Sequence, residues 1–204
     1  MLNTKVNTPW ALMSWMFCKD KLFVRPEILM PTGLIEEIKA MDAKVAEDKI
    51  LHPDIYHDGG WRIFPIRSAN DGNVASRDGD FSWMDGFENY PGLSRFLYSI
   101  ANDFQRVRLM TLMPGFSVKW HYDFDEGFDS DVVRMHLVVS SNQRAYVQIC
   151  HKKACFREGS FFVGDFGFPH MVINSGESER THLVIDVKKS QIKDRDLANQ
   201  FDVI

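Results

Sequence analysis

The second half of the chain is a series of short strand-like segments, and this series constrains the fold more than any other feature. The segments are 106–113, 117–124, 132–140, 145–150, 160–164, 170–174 and 180–188. Turn sequences such as Pro114-Gly115 and Glu158-Gly159 separate them. Because no helical segments alternate with these strands, the pattern disfavours a parallel α/β sheet and predicts a β-sandwich or barrel.

The first half carries two amphipathic helical patterns. The first runs from Thr32, a candidate N-cap, to about Lys49, and the second covers 91–104 with Pro91 in its first turn. Apolar residues recur in both at steps of three and four. A strand is expected at 61–64. We expect both helices to cover one outer face of the sheet.

The segment 67–90 has no periodicity and many Gly, Asp, Asn and Ser residues. A loop of this length inside a compact domain is usually functional or disordered. It also contains Phe81, Trp83 and Phe87, which linkers seldom carry. Two interpretations remain open: a substrate lid and a packed surface loop.

Length and charge bound the class of protein. With 204 residues, 45% of them hydrophobic, the chain is long enough to bury a core as one domain, 1–204. We divide it into an N-terminal, substrate-shaping part (1–105), a β core (106–188) and a C-terminal tail (189–204). A net charge of −4, without a Lys/Arg cluster, argues against a nucleic-acid partner.

Membrane and disulfide signals are weak. The uncharged segment 6–18 is too short to span a bilayer, so we expect it to pack on the domain, with no membrane partner. Three cysteines, Cys18, Cys150 and Cys155, form no C-x-x-C pair and no disulfide framework. This usage indicates a reducing compartment and predicts a cytoplasmic location.

A candidate metal site lies on the segment 117–124. His121 and Asp123 are two residues apart, so they share one face of a strand, and the apolar Val118, Trp120, Tyr122 and Phe124 share the other. A His-x-Asp pair alone is common and usually structural. His170 as a third ligand would complete a 2-His-1-carboxylate triad, which leaves open positions on a non-haem Fe(II).

Two strand segments echo each other. Arg134-Met135-His136-Leu137-Val138 is nearly repeated as Arg180-Thr181-His182-Leu183-Val184, and each places its Arg and His on one face. Buried cations require partners, so the strands predict either an anion inside the barrel or ion pairs with carboxylates such as Asp186. A turn at 174–176 would bring Arg180 back beside His170, where it could clamp a carboxylate.

These motifs resemble the Fe(II)- and 2-oxoglutarate-dependent oxygenases, and in particular their aspartyl/asparaginyl β-hydroxylase-like branch, which includes bacterial proline cis-hydroxylases. The resemblance covers about residues 106–188. Three pieces carry it: Pro114-Gly115 leading to His121-Tyr122-Asp123, then Val133 to Leu137, then Phe168-Pro169-His170 through Arg180 to Val187.

The resemblance implies a double-stranded β-helix, a cupin-like jelly-roll barrel. It implies iron on His121, Asp123 and His170, with Arg180 binding the distal carboxylate of 2-oxoglutarate and with Arg134 and His136 beside that co-substrate. The implied reaction hydroxylates an unactivated C–H bond with dioxygen and releases succinate and CO2. The implied substrate is an amino acid, a derivative of one, or an aspartyl or asparaginyl residue in a peptide. No catalytic side chain beyond the metal ligands is implied.

Two alternatives remain open at this stage. The first is a cupin-like metalloenzyme that does not use 2-oxoglutarate, in which Arg180 would have no reason to face the metal. The second is a non-catalytic jelly-roll module that binds a ligand through the acidic loop after Asp123.

Overall fold

A computed structural model describes residues 21–201 of the chain. The apolar segment 6–18 lies outside the described residues. Between residues 21 and 201 the chain is mainly β, as expected. No helix in that part is long and apolar enough to cross a membrane.

Twelve strands and three α-helices make up the described part of the chain. The strands are β1 (Phe23–Val24), β2 (Ile50–Leu51), β3 (Trp61–Ala69), β4 (Phe81–Trp83), β5 (Arg106–Leu112), β6 (Ser117–His121), β7 (Val132–Ser140), β8 (Ala145–Ile149), β9 (Lys152–Ala154), β10 (Phe161–Gly164), β11 (His170–Asn174) and β12 (Arg180–Lys188). The helices are α1 (Leu34–Lys44), α2 (Pro91–Ile100) and α3 (Arg195–Asn199), with 3-10 turns at Phe87–Asn89 and Lys189–Gln191.

The strands form two antiparallel sheets. The larger has the order β1-β10-β7-β12-β5-β3-β2, with β4 paired to β3, and the smaller has the order β6-β11-β8-β9. Side chains of both sheets line one cavity between them, among them Val147 and Val172 from the smaller sheet and Met110 and Val184 from the larger. The predicted double-stranded β-helix is confirmed.

The outer face of the larger sheet carries the main core. Along β7, Val133, Met135 and Leu137 face the helices, while Arg134 and His136 face the cavity, as the two-residue period of a strand requires. Helices α1, α2 and α3 all contribute to this outer core. The expected packing of the N-terminal helices on one outer face is therefore confirmed.

The N-terminal part does more than cover the sheet. Its strand β3 pairs with β5 along most of its length and carries a register shift between Pro65 and Arg67. Only 61–64 of this strand was expected from the sequence. The proposed division of the chain at residue 105 stays a prediction.

Three helix boundaries differ from the sequence-based expectation. The N-cap of α1 is Gly33 in the left-handed region (φ 79°), so the prediction of Thr32 as the cap is wrong. Helix α1 ends at Lys44, five residues earlier than expected. Helix α2 ends at Ile100 because Ala101 adopts an extended backbone.

The segment 67–90 is mostly packed. Strand β3 extends to Ala69, and β4 pairs with it. Trp83 stacks on Phe87 with ring centroids 4.0 Å apart, and both rings pack against the main core. Only 70–80 stays irregular, and Arg77 from this part approaches Asp123. The interpretation as a packed surface loop therefore fits 81–90. The interpretation as a substrate lid applies only to 70–80.

The aromatic face of the segment 117–124 points outward. Trp120, Tyr122 and Phe124 are 47%, 42% and 41% exposed, whereas His121 and Asp123 are buried. A half-buried strand would bury its apolar face, but the alternation breaks between Val118 and His121, which both line the cavity, at a register shift in the pairing with β11. Val118 alone of the apolar set is buried.

Gly60, at the start of β3, permits a close approach that a larger residue would block. A Cβ added there would lie 2.1 Å from Cγ of Phe116 and 2.5 Å from its Cβ, and the Cβ is fixed to the backbone. Gly60→Ala should lower the free energy of unfolding by about 1–3 kcal/mol through overpacking. Urea denaturation measures this, and an unchanged midpoint would contradict the tight contact.

Candidate metal centre and co-substrate cavity

Two imidazoles and one carboxylate converge at one end of the cavity. One donor atom each from His121, Asp123 and His170 lies within 4.8 Å of the other two. Nε2 of His170 is 3.9 Å from Oδ2 of Asp123, and the two imidazole centroids are 4.1 Å apart. The structure thus brings together the three predicted metal ligands.

Strand pairing produces this convergence. His121 ends β6, His170 begins β11, and the two are direct partners in the antiparallel register. Asp123 follows β6 by two residues, and its backbone N–H donates to the carbonyl of Phe166 at 2.9 Å. Rigid backbone on both sides therefore fixes all three side chains before any metal binds.

Both imidazoles are oriented as metal ligands. Nδ1 of His121 lies 2.7 Å from the carbonyl of Lys119, and Nδ1 of His170 lies 3.0 Å from the carbonyl of Phe168. A carbonyl only accepts, so each Nδ1 carries the proton and each Nε2 keeps a free lone pair. Burial lowers the pKa of His170 to about 3, so this ring is neutral at pH 7. The donor set therefore fits Fe(II).

Asp123 is ionised and held by arginines. Burial alone would raise the pKa of this carboxyl, but the charge of Arg134 outweighs burial, and its pKa lies below the ordinary value. Arg134 donates to Oδ2, and Arg77 lies 3.5 Å from Oδ1. An anionic carboxylate is the form that binds a divalent cation.

Arg180 lines the same cavity and has no carboxylate partner among the described residues. Its only described polar contact is from Nη2 to Nδ1 of His182, at 3.2 Å. Burial lowers its pKa to about 9, so the guanidinium stays charged at pH 7. A buried, unpaired cation is costly unless an anion binds it, so Arg180 marks a place for an anionic ligand.

His136 and His182 flank this place. Their Nδ1 atoms are 3.3 Å apart, and Nε2 of each is buried without a hydrogen-bond partner among residues 21–201. Burial, followed by the charge of Arg180, lowers the pKa of both well below the ordinary value, so both are neutral. His136 lines the cavity together with Arg180. A ligand there could satisfy its orphaned nitrogen.

The arginines of the two similar strand segments, Arg134 and Arg180, differ in their surroundings. Arg134 contacts the carboxylates of Asp123, Glu126 and Asp186, so ion pairing, which the sequence left as an alternative, describes this arginine. Arg134 also lines the cavity. Its contact with the co-substrate stays a prediction.

A sequence profile of the aspartyl/asparaginyl β-hydroxylase family matches residues 34–190 of this chain. The match spans both the N-terminal part and the β core. The chain belongs to this family. No curated protein sequence matches it closely.

Solved structures share the fold of this hydroxylase at low identity. A Pseudomonas putida prolyl-4-hydroxylase is 16% identical, with 87% of this chain and 98% of that chain covered and a TM-score of 0.51. An oxidoreductase of the 2OG-Fe(II) oxygenase family from Burkholderia pseudomallei is 14% identical (91% and 93% covered, TM-score 0.55). HygX from Streptomyces hygroscopicus, solved with nickel and 2-oxoglutarate bound, is 10% identical (85% of each chain covered, TM-score 0.52).

Family membership confirms that the protein is an enzyme of the hydroxylase class. The clustered His121, Asp123 and His170 support the expected cofactors, Fe(II) and 2-oxoglutarate, since the donor set suits this metal. The ligand roles of individual residues stay predictions.

The hydroxylase also contains a buried ion network, of which the sequence suggested only ion pairing with Asp186. Asp186 accepts from Arg108 at 2.5 Å and from Arg134 at 2.8 Å, and it lies 2.8 Å from Arg106. Glu126, almost fully buried, pairs with Arg106 and Arg134. Arg106 and Arg108 are two residues apart on a strand-like segment, so they share one face of the strand. This spacing was the signal in the sequence, because the shared face is the one that carries Asp186 on the neighbouring strand β12.

Burial affects the two acids of this network differently. Burial alone would raise the pKa of Asp186, but three arginines outweigh it and hold the pKa below the ordinary value. Burial, reinforced by Asp186 and Asp123, raises the pKa of Glu126 to about 7 despite Arg134. Asp186 is therefore the permanent anion of the network.

Asp186→Asn should destabilise the fold without changing side-chain size. The substitution would leave three buried guanidinium groups short of one carboxylate, and removing one partner of a buried ion pair costs about 3–5 kcal/mol. We expect the free energy of unfolding, measured in urea, to fall by about 3 kcal/mol. The control is the same substitution at an exposed ion pair. Asp103→Asn removes the 64%-exposed partner of Arg67 and should lower the free energy of unfolding by under about 1 kcal/mol. Equal losses in the two variants would contradict the role of Asp186.

Proposed function

We propose that the protein is an Fe(II)- and 2-oxoglutarate-dependent dioxygenase. It hydroxylates an unactivated C–H bond of an amino acid, an amino-acid derivative, or an aspartyl or asparaginyl residue in a peptide. The products are the hydroxylated substrate, succinate and CO2.

One observation carries the proposal. His121, His170 and the unpaired Arg180 line the same inter-sheet cavity. Asp123 lies beside the two histidines and accepts from Arg134, which also lines this cavity. A metal that chelates the 2-oxo acid end of 2-oxoglutarate would leave its distal carboxylate free for Arg180. A cupin-like enzyme that does not use 2-oxoglutarate offers no reason for a buried guanidinium without a carboxylate.

When bound, Fe(II) and 2-oxoglutarate supply the oxidising chemistry, with one oxygen atom of dioxygen going to succinate and the other to the substrate. The side chains supply geometry. His121, Asp123 and His170 would hold the metal, and Arg180 would orient the co-substrate through its distal carboxylate. Apolar residues of the cavity lining, such as Phe162 and Val172, would exclude water. No described side chain needs to act as a general base.

Succinate release across a panel of amino acids and aspartyl or asparaginyl peptides tests the proposal, with iron and 2-oxoglutarate supplied or withheld. We expect release to require both. Iron-dependent turnover without 2-oxoglutarate would instead favour the cupin-like metalloenzyme. Absence of any oxygen uptake, with 2-oxoglutarate still bound, would favour the non-catalytic module.

A further inference from the structure

The two arginines of the similar strand segments are held in place by different partners. Arg134 pairs with three carboxylates, whereas Arg180 pairs with none among residues 21–201. The described polar contact of Arg180 is with the ring of His182, two residues further along β12. Residues two apart on a strand point the same way, so the two side chains share the inner face of β12.

The chemistry of the two groups determines the direction of this hydrogen bond. A guanidinium only donates, so Nη2 of Arg180 donates to Nδ1 of His182, 3.2 Å away. The proton of the neutral His182 ring therefore lies on Nε2. Nδ1 of His136 is 3.3 Å from the same acceptor, and it can approach that atom favourably only as a second donor.

The ring of His182 is confined by its surroundings. It is almost fully buried and lies edge-on to His136 and Phe162, with ring centroids 5.5 Å and 5.9 Å away. Phe162 in turn stacks on Phe156, with centroids 3.7 Å apart. An acceptor on so confined a ring restricts the conformations of Arg180, which lowers the entropy cost of binding an anion there.

A neutral acceptor orients Arg180 without cancelling its charge. A carboxylate in the same place would form an ion pair with the guanidinium, as Asp186 does with Arg134, and would compete with any anionic ligand. The ring of His182 adds no charge at pH 7, since burial and then the charge of Arg180 lower its pKa well below the ordinary value. Arg180 is therefore both oriented and available to an anion.

We propose that His182 is a positioning residue for the co-substrate: it orients Arg180 through a neutral acceptor and thereby sets the affinity for the distal carboxylate of 2-oxoglutarate. The inference rests on the proposed function and adds a residue that acts through Arg180. It also gives a role to the second half of the Arg180-x-His182 motif, which the proposed function alone leaves unused.

Three substitutions of His182 test this role. In His182→Asn the amide oxygen lies as many bonds from Cα as Nδ1 does, so it can accept from Arg180, and the Kd of 2-oxoglutarate should stay within about threefold of its original value. His182→Leu fills the space without an acceptor and should raise the Kd on the order of tenfold. His182→Asp places a buried anion beside Arg180 and should raise the Kd more than about a hundredfold. Calorimetric titration of 2-oxoglutarate into the Mn(II)-loaded protein measures all three.

Urea unfolding of the metal-free variants separates positioning from a structural role. A structural role predicts that affinity for 2-oxoglutarate follows the free energy of unfolding, whereas the positioning role predicts the order Asn, Leu, Asp whatever the stabilities. Thr181→Val is the control, because Thr181 lies on the opposite face of β12 with its hydroxyl 2.9 Å from that of Thr111, and its Kd should be unchanged. Equal affinity in the Asn and Leu variants, or unimpaired binding in His182→Asp, would overturn the inference.

A measurement on the unsubstituted protein does not depend on the folding of any variant. The imidazole nitrogen chemical shifts of the metal-free protein should place the proton of His182 on Nε2, and a proton on Nδ1 would overturn the inference. Arg180→Ala distinguishes the two levels of the account. If it lost affinity for 2-oxoglutarate while all three His182 variants kept it, the inference alone would fail. If the unsubstituted, Mn(II)-loaded protein bound no 2-oxoglutarate, the proposed function would fail with it.

Discussion

His170→Ala is expected to abolish iron-dependent succinate release while leaving the fold intact. Loss of a residue that only supports a metal ligand typically costs 10- to 100-fold, so loss of a ligand itself should cost more than about a hundredfold. The ring is neutral and buried, so its removal leaves a small cavity and no unpaired charge. Iron content per chain and succinate release together measure the effect.

His151→Ala supplies the matched control. His151 is exposed at the turn between β8 and β9, away from the cavity lining. This variant should keep its iron and its turnover. If His170→Ala retained iron at full stoichiometry, the metal would have to lie on other ligands.

Arg180→Ala should raise the KM for 2-oxoglutarate on the order of a hundredfold or more, because two charge-assisted hydrogen bonds to the distal carboxylate are lost. Arg180→Lys should recover only part of the affinity, since an ammonium cannot bind a carboxylate in the same two-pronged way. The KM for the substrate should change much less. Initial rates at varied 2-oxoglutarate concentration, with substrate saturating, measure the effect.

Stability distinguishes a structural role from a binding role. Arg180 is buried without a carboxylate partner among residues 21–201, so its removal should not lower the free energy of unfolding as Asp186→Asn does. An unchanged KM for 2-oxoglutarate in Arg180→Ala would refute the clamp and favour an enzyme that does not use this co-substrate.

Sequence periodicity was sufficient for the strands of the β core. The limits of β7 and β12 agree with the expectation because each alternates strictly between a core face and a cavity face. Short pairings such as β1 and β9 escaped prediction, since two or three residues carry no periodic signal. The extension of β3 through Pro65 also escaped, because proline and a register shift interrupt its pattern.

The candidate site could be predicted as far as the spacing of residues along a strand determines which side chains share a face. His121 and Asp123 share a face, and the turn after β11 returns Arg180 towards the cavity. Spacing could not say which face is inside. A half-buried strand usually buries its aromatic residues, but here Trp120 and Tyr122 are exposed, because the register shift between Val118 and His121 turns them outward.

Most of the ion network could not be predicted from local patterns in the sequence. Glu126 belongs to an acidic loop that resembles solvated surface, yet it is turned inward onto Arg106 and Arg134. Pairing between residues on separate strands depends on tertiary register, which the sequence of one chain does not display.

The structure of the complex with Mn(II), as an inert substitute for Fe(II), and 2-oxoglutarate tests the central claim most directly. The account predicts one metal bound by Nε2 of His121, Nε2 of His170 and the carboxylate of Asp123, with the distal carboxylate of 2-oxoglutarate on Arg180. A metal bound elsewhere, or a co-substrate whose distal carboxylate does not contact Arg180, would contradict it.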